Sequence, residues 1–118
     1  MIASGFRLKK ATDFSRTYKF GKSYNHPEFY IKALQVKSPV SRFSVVVPKK
    51  VSKSAVVRNR ARRRVYEIIR INITKMSTGY TIIVTAKSNL ESLNPKQLDS
   101  ALISGFTKLN IYPRNIQK

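Results

Sequence analysis

An α/β (α+β) fold of one domain, a single small sheet with helices packed on it, is predicted by three features of this sequence. Hydrophobic alternation with a period of two marks residues 28–37, RFSVVV at 42–47 reads as a second strand, and a helical period takes over at residues 54–72. An uninterrupted apolar run, YTIIVTA at 80–86, follows. Asn94-Pro95 then opens another helical stretch. The 118 residues suit one domain, 1–118 with a core of about 6–110, and 42% hydrophobic residues suffice for a small core.

Taken in order, residues 1–4 and 113–118 read as loosely held ends. Residues 12–20, TDFSRTYKF, read as a short helix, with Thr12 as N-cap, Asp13 at the positive end of the dipole and Gly21 as the stop. Phe14 and Tyr18 are four apart and share a face. A short strand fits at 22–25. Residues 28–37 set Tyr30, Lys32, Leu34 and Val36 against Phe29, Ile31, Ala33 and Gln35, the pattern of a strand. Ser38, Pro39 and Ser41 make a turn, and the strand RFSVVV at 42–47 ends at Pro48.

Over 54–72, Val57, Ala61, Val65, Ile68 and Ile69 form one apolar stripe. Thr78 and Gly79 turn the chain into the strand at 80–86. The last helix, capped by Asn94, runs to about Leu109 with Leu98, Leu102, Ile103 and Phe106 facing inward. The order is helix, two or three strands, basic helix, strand, helix, and one sheet covered by helices packs it most economically.

Charge narrows the function. Lys and Arg number 24 against 5 Asp and Glu, a formal net charge of +19. Such self-repulsion makes sense when a polyanion neutralises it. Nucleic acid is the commonest such partner and an anionic membrane surface the rival. With no cysteine, disulfide scaffolds and thiolate metal sites are excluded, and the single His26 cannot build a histidine metal site. His26 reads as a turn residue before Pro27. The start, MIASGFRLKK, has its charges in the wrong order for an export signal, and no apolar run approaches the roughly 20 residues a bilayer needs. A soluble, cytoplasmic protein is expected.

VVRNRARRRVYEIIR at 56–70 carries the densest charge. A helix face selected for stability mixes signs, yet only Glu67 is acidic here. Lys49, Lys50, Lys53, Arg58 and Arg60 crowd the N-terminal end, where the dipole is already positive and each cation is misplaced by roughly 0.3–1 kcal/mol. That arrangement hurts the free protein and favours a complex with phosphates. Asn59 donates and accepts at once, so it suits a 2′-hydroxyl or base edge, and equally a local bond at the helix end. An interfacial membrane helix would want Leu, Phe or Trp where this stripe has Val, Ala and Ile.

At these residues the chain resembles a known family, the protein subunit of bacterial ribonuclease P. RLKKATDFSRTYKFGKSY at 7–24 looks like the family's opening, RFSVVVPKK at 42–50 like its third strand and paired lysines, RNRARR at 58–63 like its Arg-Asn-Arg signature, and GYTIIVTAK at 79–87 like its last strand. The likeness spans about Phe6 to Leu109. Ser44 stands where members usually have glycine. Tyr66 replaces a further arginine before Glu67, so Tyr66 is left out of the expected RNA contacts and Arg64 is weighted below Arg62 and Arg63.

The resemblance implies a three-layer fold with a mixed four-stranded sheet in α-β-β-β-α-β-α order and a left-handed β-α-β crossover, rare for parallel connections. It implies a protein subunit that assists a catalytic RNA in cutting the 5′ leader from precursor tRNA; the chain is expected to be monomeric within the holoenzyme. The catalytic Mg²⁺ ions are expected on the RNA, with no cofactor held by protein side chains alone. Asp13, Glu28, Glu67, Glu91 and Asp99 are scattered singly, with no pair spaced to hold two metal ions. Lys49, Lys50, Lys53, Arg58, Asn59, Arg60, Arg62 and Arg63 are the implied contacts to the catalytic RNA. Phe14, Tyr18, Tyr30 and Lys87 are the implied lining of a leader cleft, where stacking is worth about 1–3 kcal/mol per base. A ribosomal or general RNA-binding protein and a membrane-active basic domain are the alternatives.

Overall fold

The computed structural model describes residues 4–114. Its elements are α1 (Ala11–Phe20), β1 (Lys22–His26), β2 (Phe29–Gln35), β3 (Arg42–Val46), α2 (Ala55–Asn72), β4 (Tyr80–Ala86) and α3 (Pro95–Lys108), with short 3-10 turns at Ser4–Phe6 and Ile73–Lys75. Local chemistry sets most of these limits. Ser54 caps α2, its hydroxyl accepting the Val57 N–H at 3.3 Å. Asn94 and Gln97 close a reciprocal capping box on α3, with Pro95 in the first turn. Gly79, at φ 83°, makes the turn into β4 in a conformation that favours glycine. His26 ends β1 opposite Phe29, so Pro27 and Glu28 form the hairpin loop. The His26 Nδ1 accepts the Glu28 N–H at 3.0 Å and its ring stacks on Phe29.

The strands lie in the order β1-β2-β4-β3. β1–β2 and β2–β4 are antiparallel, whereas β3–β4 is parallel and is joined through α2. Because side chains alternate, the sheet has two unlike faces. Phe29, Ile31 and Ala33 of β2, Phe43 and Val45 of β3, and Ile82, Val84 and Ala86 of β4 meet Ala61, Val65, Ile68 and Ile69 of α2 and Leu98, Leu102 and Phe106 of α3 in one core. Gly105 lets α3 approach this face: a Cβ there would lie 2.7 Å from the Tyr24 ring and 2.8 Å from Ile31. The opposite face carries Tyr30, Lys32 and Leu34, then Thr81, Ile83 and Thr85, then Arg42, Ser44 and Val46. α1 lies across this second face, where the buried Thr17 hydroxyl sits 2.6 Å from that of Thr81.

The outer edge of β3 is closed. The Leu8 N–H donates to the Phe43 carbonyl at 2.9 Å. The Tyr66 hydroxyl accepts the Val45 N–H at 3.2 Å. The Arg7 guanidinium lies 5.6 Å from the Tyr66 ring, so one buried tyrosine holds both the edge and the segment that covers it.

Several expected boundaries move. Thr12 is not the cap of α1. Lys10 takes that position because it is extended and its carbonyl accepts from the N–H groups of Asp13 and Phe14, with no side-chain cap. Gly21 does stop the helix, but by running extended into β1. β2 is shorter than 28–37, since Glu28 belongs to the hairpin loop, while Val36 still donates to Gly79 at 2.8 Å. Val57 and Ile103 are half-buried rather than core. Of the expected loose ends, residues 1–3 and 115–118 lie outside the described residues. Ser4 opens a 3-10 turn, and the Arg114 N–H is tied to the Lys75 carbonyl at 2.6 Å.

Candidate nucleic-acid interface

β3 delivers the chain through Pro48 to the start of α2, so the lysines of that loop and the arginines of the first helical turns share one end of the sheet. Lys49, Lys50 and Lys53 are exposed there. The arginines of α2 divide by role. Arg58 is half-buried and donates to the Ser52 carbonyl at 2.8 Å, clamping the loop. Arg60 is loosely paired with Glu91 at 3.4 Å, both side chains more than half exposed, a contact worth little in water. Arg62 donates to the carboxamide oxygen of the exposed Asn59 at 2.5 Å. Arg63 is exposed. Lys49, Lys50, Lys53, Arg62 and Arg63 have no acidic partner among the described residues. Glu67, the helix's own acid, is engaged by Arg70 through bonds of 2.9 and 2.7 Å, which hold its carboxyl below the ordinary range.

Arg64 differs from its neighbours. It donates to the carbonyls of Leu90 and Leu93 at 2.7 and 2.6 Å, stapling the segment before α3 to α2. Tyr66 is turned inward, as described. The same segment is fixed from its other side by Glu28, whose carboxylate accepts from the hydroxyls of Ser88 and Ser92 at 2.7 and 2.8 Å. Those two bonds pull the Glu28 carboxyl below its usual range.

The second expected group surrounds α1. With Thr17 buried against Thr81, the 100° step per residue puts Phe14 and Tyr18 on one flank of the helix and Asp13 and Phe20 on the other. Phe14 is half-buried and Tyr18 is 39% exposed. Tyr30 falls on the α1 face of the sheet, opposite Thr85, and is half-buried. Lys87 follows β4 directly and is exposed, its ammonium 3.4 Å from the Asn25 amide oxygen. Phe14, Tyr18 and Tyr30 are thus associated with one face and Lys87 with its end, beside the loop that leads into α2. Lys32, half-buried between Tyr30 and Leu34 on the same face, was passed over in the sequence. Its place in the alternation with Tyr30 was the signal.

This sequence and fold have counterparts among known proteins. A family model described as Ribonuclease P matches residues 3–110. The chain belongs to the ribonuclease P protein family. The ribonuclease P protein component of Clostridioides difficile (strain 630) is 40% identical over 96 residues, 80% of this chain and 83% of that protein. That of Clostridium botulinum (strain 657 / Type Ba4) is 34% identical over 107 residues, 90% of this chain and 96% of that one. A solved structure of the Staphylococcus aureus RNase P protein superposes with a TM-score of 0.79 at 26% identity, covering 91% of this chain and 97% of that one. The Thermotoga maritima RNase P protein gives 0.74 at 28% identity, covering 83% and 92%. Membership in the ribonuclease P family makes this chain the protein component of a ribonucleoprotein enzyme of tRNA 5′ processing that works with an RNA subunit. Among the described residues no helix is long and apolar enough to cross a membrane.

Proposed function

We propose that this protein docks on the catalytic RNA of ribonuclease P through the end of α2 and the loop before it, and holds the 5′ leader of precursor tRNA over the α1 face of the sheet. The carrying observation is the set of cations at one end of α2 without acidic partners among the described residues, Lys49, Lys50, Lys53, Arg62 and Arg63, together with Arg60 and the exposed Asn59. Phosphates of a folded RNA would supply the missing negative charge. Arg58 contributes by shaping the loop that presents the lysines. Phe14, Tyr18 and Tyr30 would stack on leader bases of any sequence, and Lys87 would meet the backbone at the cleft's end.

No three acidic or histidine side chains converge among the described residues. In this reading the catalytic Mg²⁺ ions are held by the RNA and the protein contributes binding. The protein acts as one copy per complex, in the cytoplasm, and raises affinity for precursor tRNA over mature tRNA.

Reconstitution tests the reading. The purified chain should not cleave precursor tRNA alone, and adding it to the catalytic RNA of the same genome at low Mg²⁺ should raise both cleavage and precursor affinity. If neither changes, the reading is wrong.

A further inference from the structure

We propose that the other end of the sheet carries a second RNA site, a groove that takes a short unpaired segment by stacking and by amide and guanidinium bonds. The proposal rests on RNA as the protein's partner but concerns a surface that neither α2's cations nor the leader cleft includes. Where β2 ends and β4 begins, the chain's C-terminal segment folds under the sheet and leaves a groove of about 700 Å³. That size lies within the roughly 300–1,000 Å³ of ordinary ligand clefts. Its walls include Gln35, Thr78, Tyr80, Asn110, Tyr112 and Arg114. An adjoining hollow of about 290 Å³ shares Gln35, Tyr80 and Asn110 and extends to Phe20 and Lys22.

The residue types fit one ligand chemistry. Tyr80 and Tyr112 are half-buried, and Phe20, at 62% exposure, is a large aromatic the core does not use. Aromatic faces of this kind accept a base of any identity. Gln35 and Asn110 are exposed carboxamides, able to donate and accept at base edges. Arg114 at one end and Lys22 at the other are exposed cations for the backbone, with Lys19 5.5 Å from the Phe20 ring. None of the chain's 5 acids lines either hollow.

The groove is also preformed, which lowers the ordering cost of binding. The Tyr80 N–H donates to the Ser41 hydroxyl at 3.1 Å. The N–H groups of Asn110, Tyr112 and Arg114 donate to the carbonyls of Thr107, Phe106 and Lys75 at 3.1, 3.2 and 2.6 Å. Phe20 lies on the flank of α1 away from Phe14 and Tyr18, so the helix separates the groove from the leader cleft.

The test uses the full chain with oligouridylate and oligoadenylate as probes, read by NMR at the side-chain amides of Gln35 and Asn110. Both amides should shift on titration. The double variant Gln35→Ala/Arg114→Ala, exposed at both positions and checked as folded in the same spectrum, should weaken binding at this site about tenfold or more, the loss of one charge-assisted bond. Arg60→Ala/Arg62→Ala should leave these shifts in place. Unmoved Gln35 and Asn110 amides, or equal affinity of the Gln35→Ala/Arg114→Ala variant, overturn the site. Reconstituted activity, measured separately, reports on the functional reading. The chain has no cysteine, so Thr78→Cys can carry a single photo-crosslinker. A crosslink to catalytic RNA or to precursor tRNA, each offered alone, identifies the source of the segment. Yields no higher than from Ser100→Cys on α3 with either RNA overturn the proposal.

Discussion

On one face of the sheet Phe29, Ile31, Phe43 and Ile82 are wholly buried beneath Leu98, Leu102 and Phe106. On the other, Tyr30, Lys32 and Leu34 stay half-exposed, and the buried members besides Ile83 are hydroxyl residues, Ser44, Thr81 and Thr85. The first face gains the transfer free energy of aliphatic and aromatic side chains, about 25 cal/mol per Å² of apolar surface. The second forgoes much of that gain and keeps rings and cations within reach of a ligand. The proposed leader cleft would thus lie on the side of the strands opposite the core, one residue apart from the side chains that supply stability.

The contrast can be broken most directly by truncating one aromatic on each side. Phe106→Ala should cost about 3–5 kcal/mol in urea unfolding. Phe14→Ala should cost no more than about 1.5 kcal/mol, half of a full burial. It should also lower precursor tRNA affinity about 5–150-fold while sparing mature tRNA. Equal losses for the two RNAs would show Phe14 to be only a packing residue. A similar contrast holds within α2. Arg64→Ala removes two bonds to buried-segment carbonyls and should destabilise by about 1.5–3 kcal/mol. Arg63→Ala should stay within about 0.5 kcal/mol in stability. Its effect belongs in the salt dependence of RNA binding, where the log–log slope should fall by about 0.7–0.9. A melting-temperature loss for Arg63→Ala matching that of Arg64→Ala would erase the distinction.

Smaller effects sharpen the account of the α1 face. Thr85 Oγ1 is buried without a hydrogen-bond partner, so Thr85→Val should be neutral or stabilising by up to about 1 kcal/mol. A clear loss on unfolding would mean that the hydroxyl is satisfied in solution. Glu28 gives the smallest effect. The Ser88 and Ser92 hydroxyls lower its pKa in the folded state, so the proton binds less tightly there than in the unfolded chain. The resulting stabilisation is present above the unfolded glutamate pKa and is lost as pH falls through the lowered folded value. Stability curves of the wild type and Ser88→Ala/Ser92→Ala should therefore converge on acidification, and parallel curves would contradict the assignment.

What the sequence made legible follows from locality. Tyr80–Ala86 coincides with its apolar run, and Asn94-Pro95 with its helix start, because propensity, pattern and capping agree over a few residues. The charge at 49–63 likewise pointed to one end of α2. Roles set by distant partners were not legible. Arg62, Arg63 and Arg64 look alike in order, yet Arg64 alone finds carbonyls 26 and 29 residues away. Tyr66 reads as a substitution on a charged helix until its hydroxyl is seen against Val45. The groove beneath the sheet draws on residues 35, 78–80 and 110–114, which no single window of sequence joins.

The latch at Val45 has a wider consequence. An edge strand with open amides invites any extended polypeptide to add itself, and self-templating of that kind leads to insoluble polymers. Here the Arg7–Leu8 segment and the phenol of Tyr66 occupy the positions such a newcomer would need along β3. Loosening this latch, for instance with Tyr66→Phe, would give the particle an adhesive rim along β3.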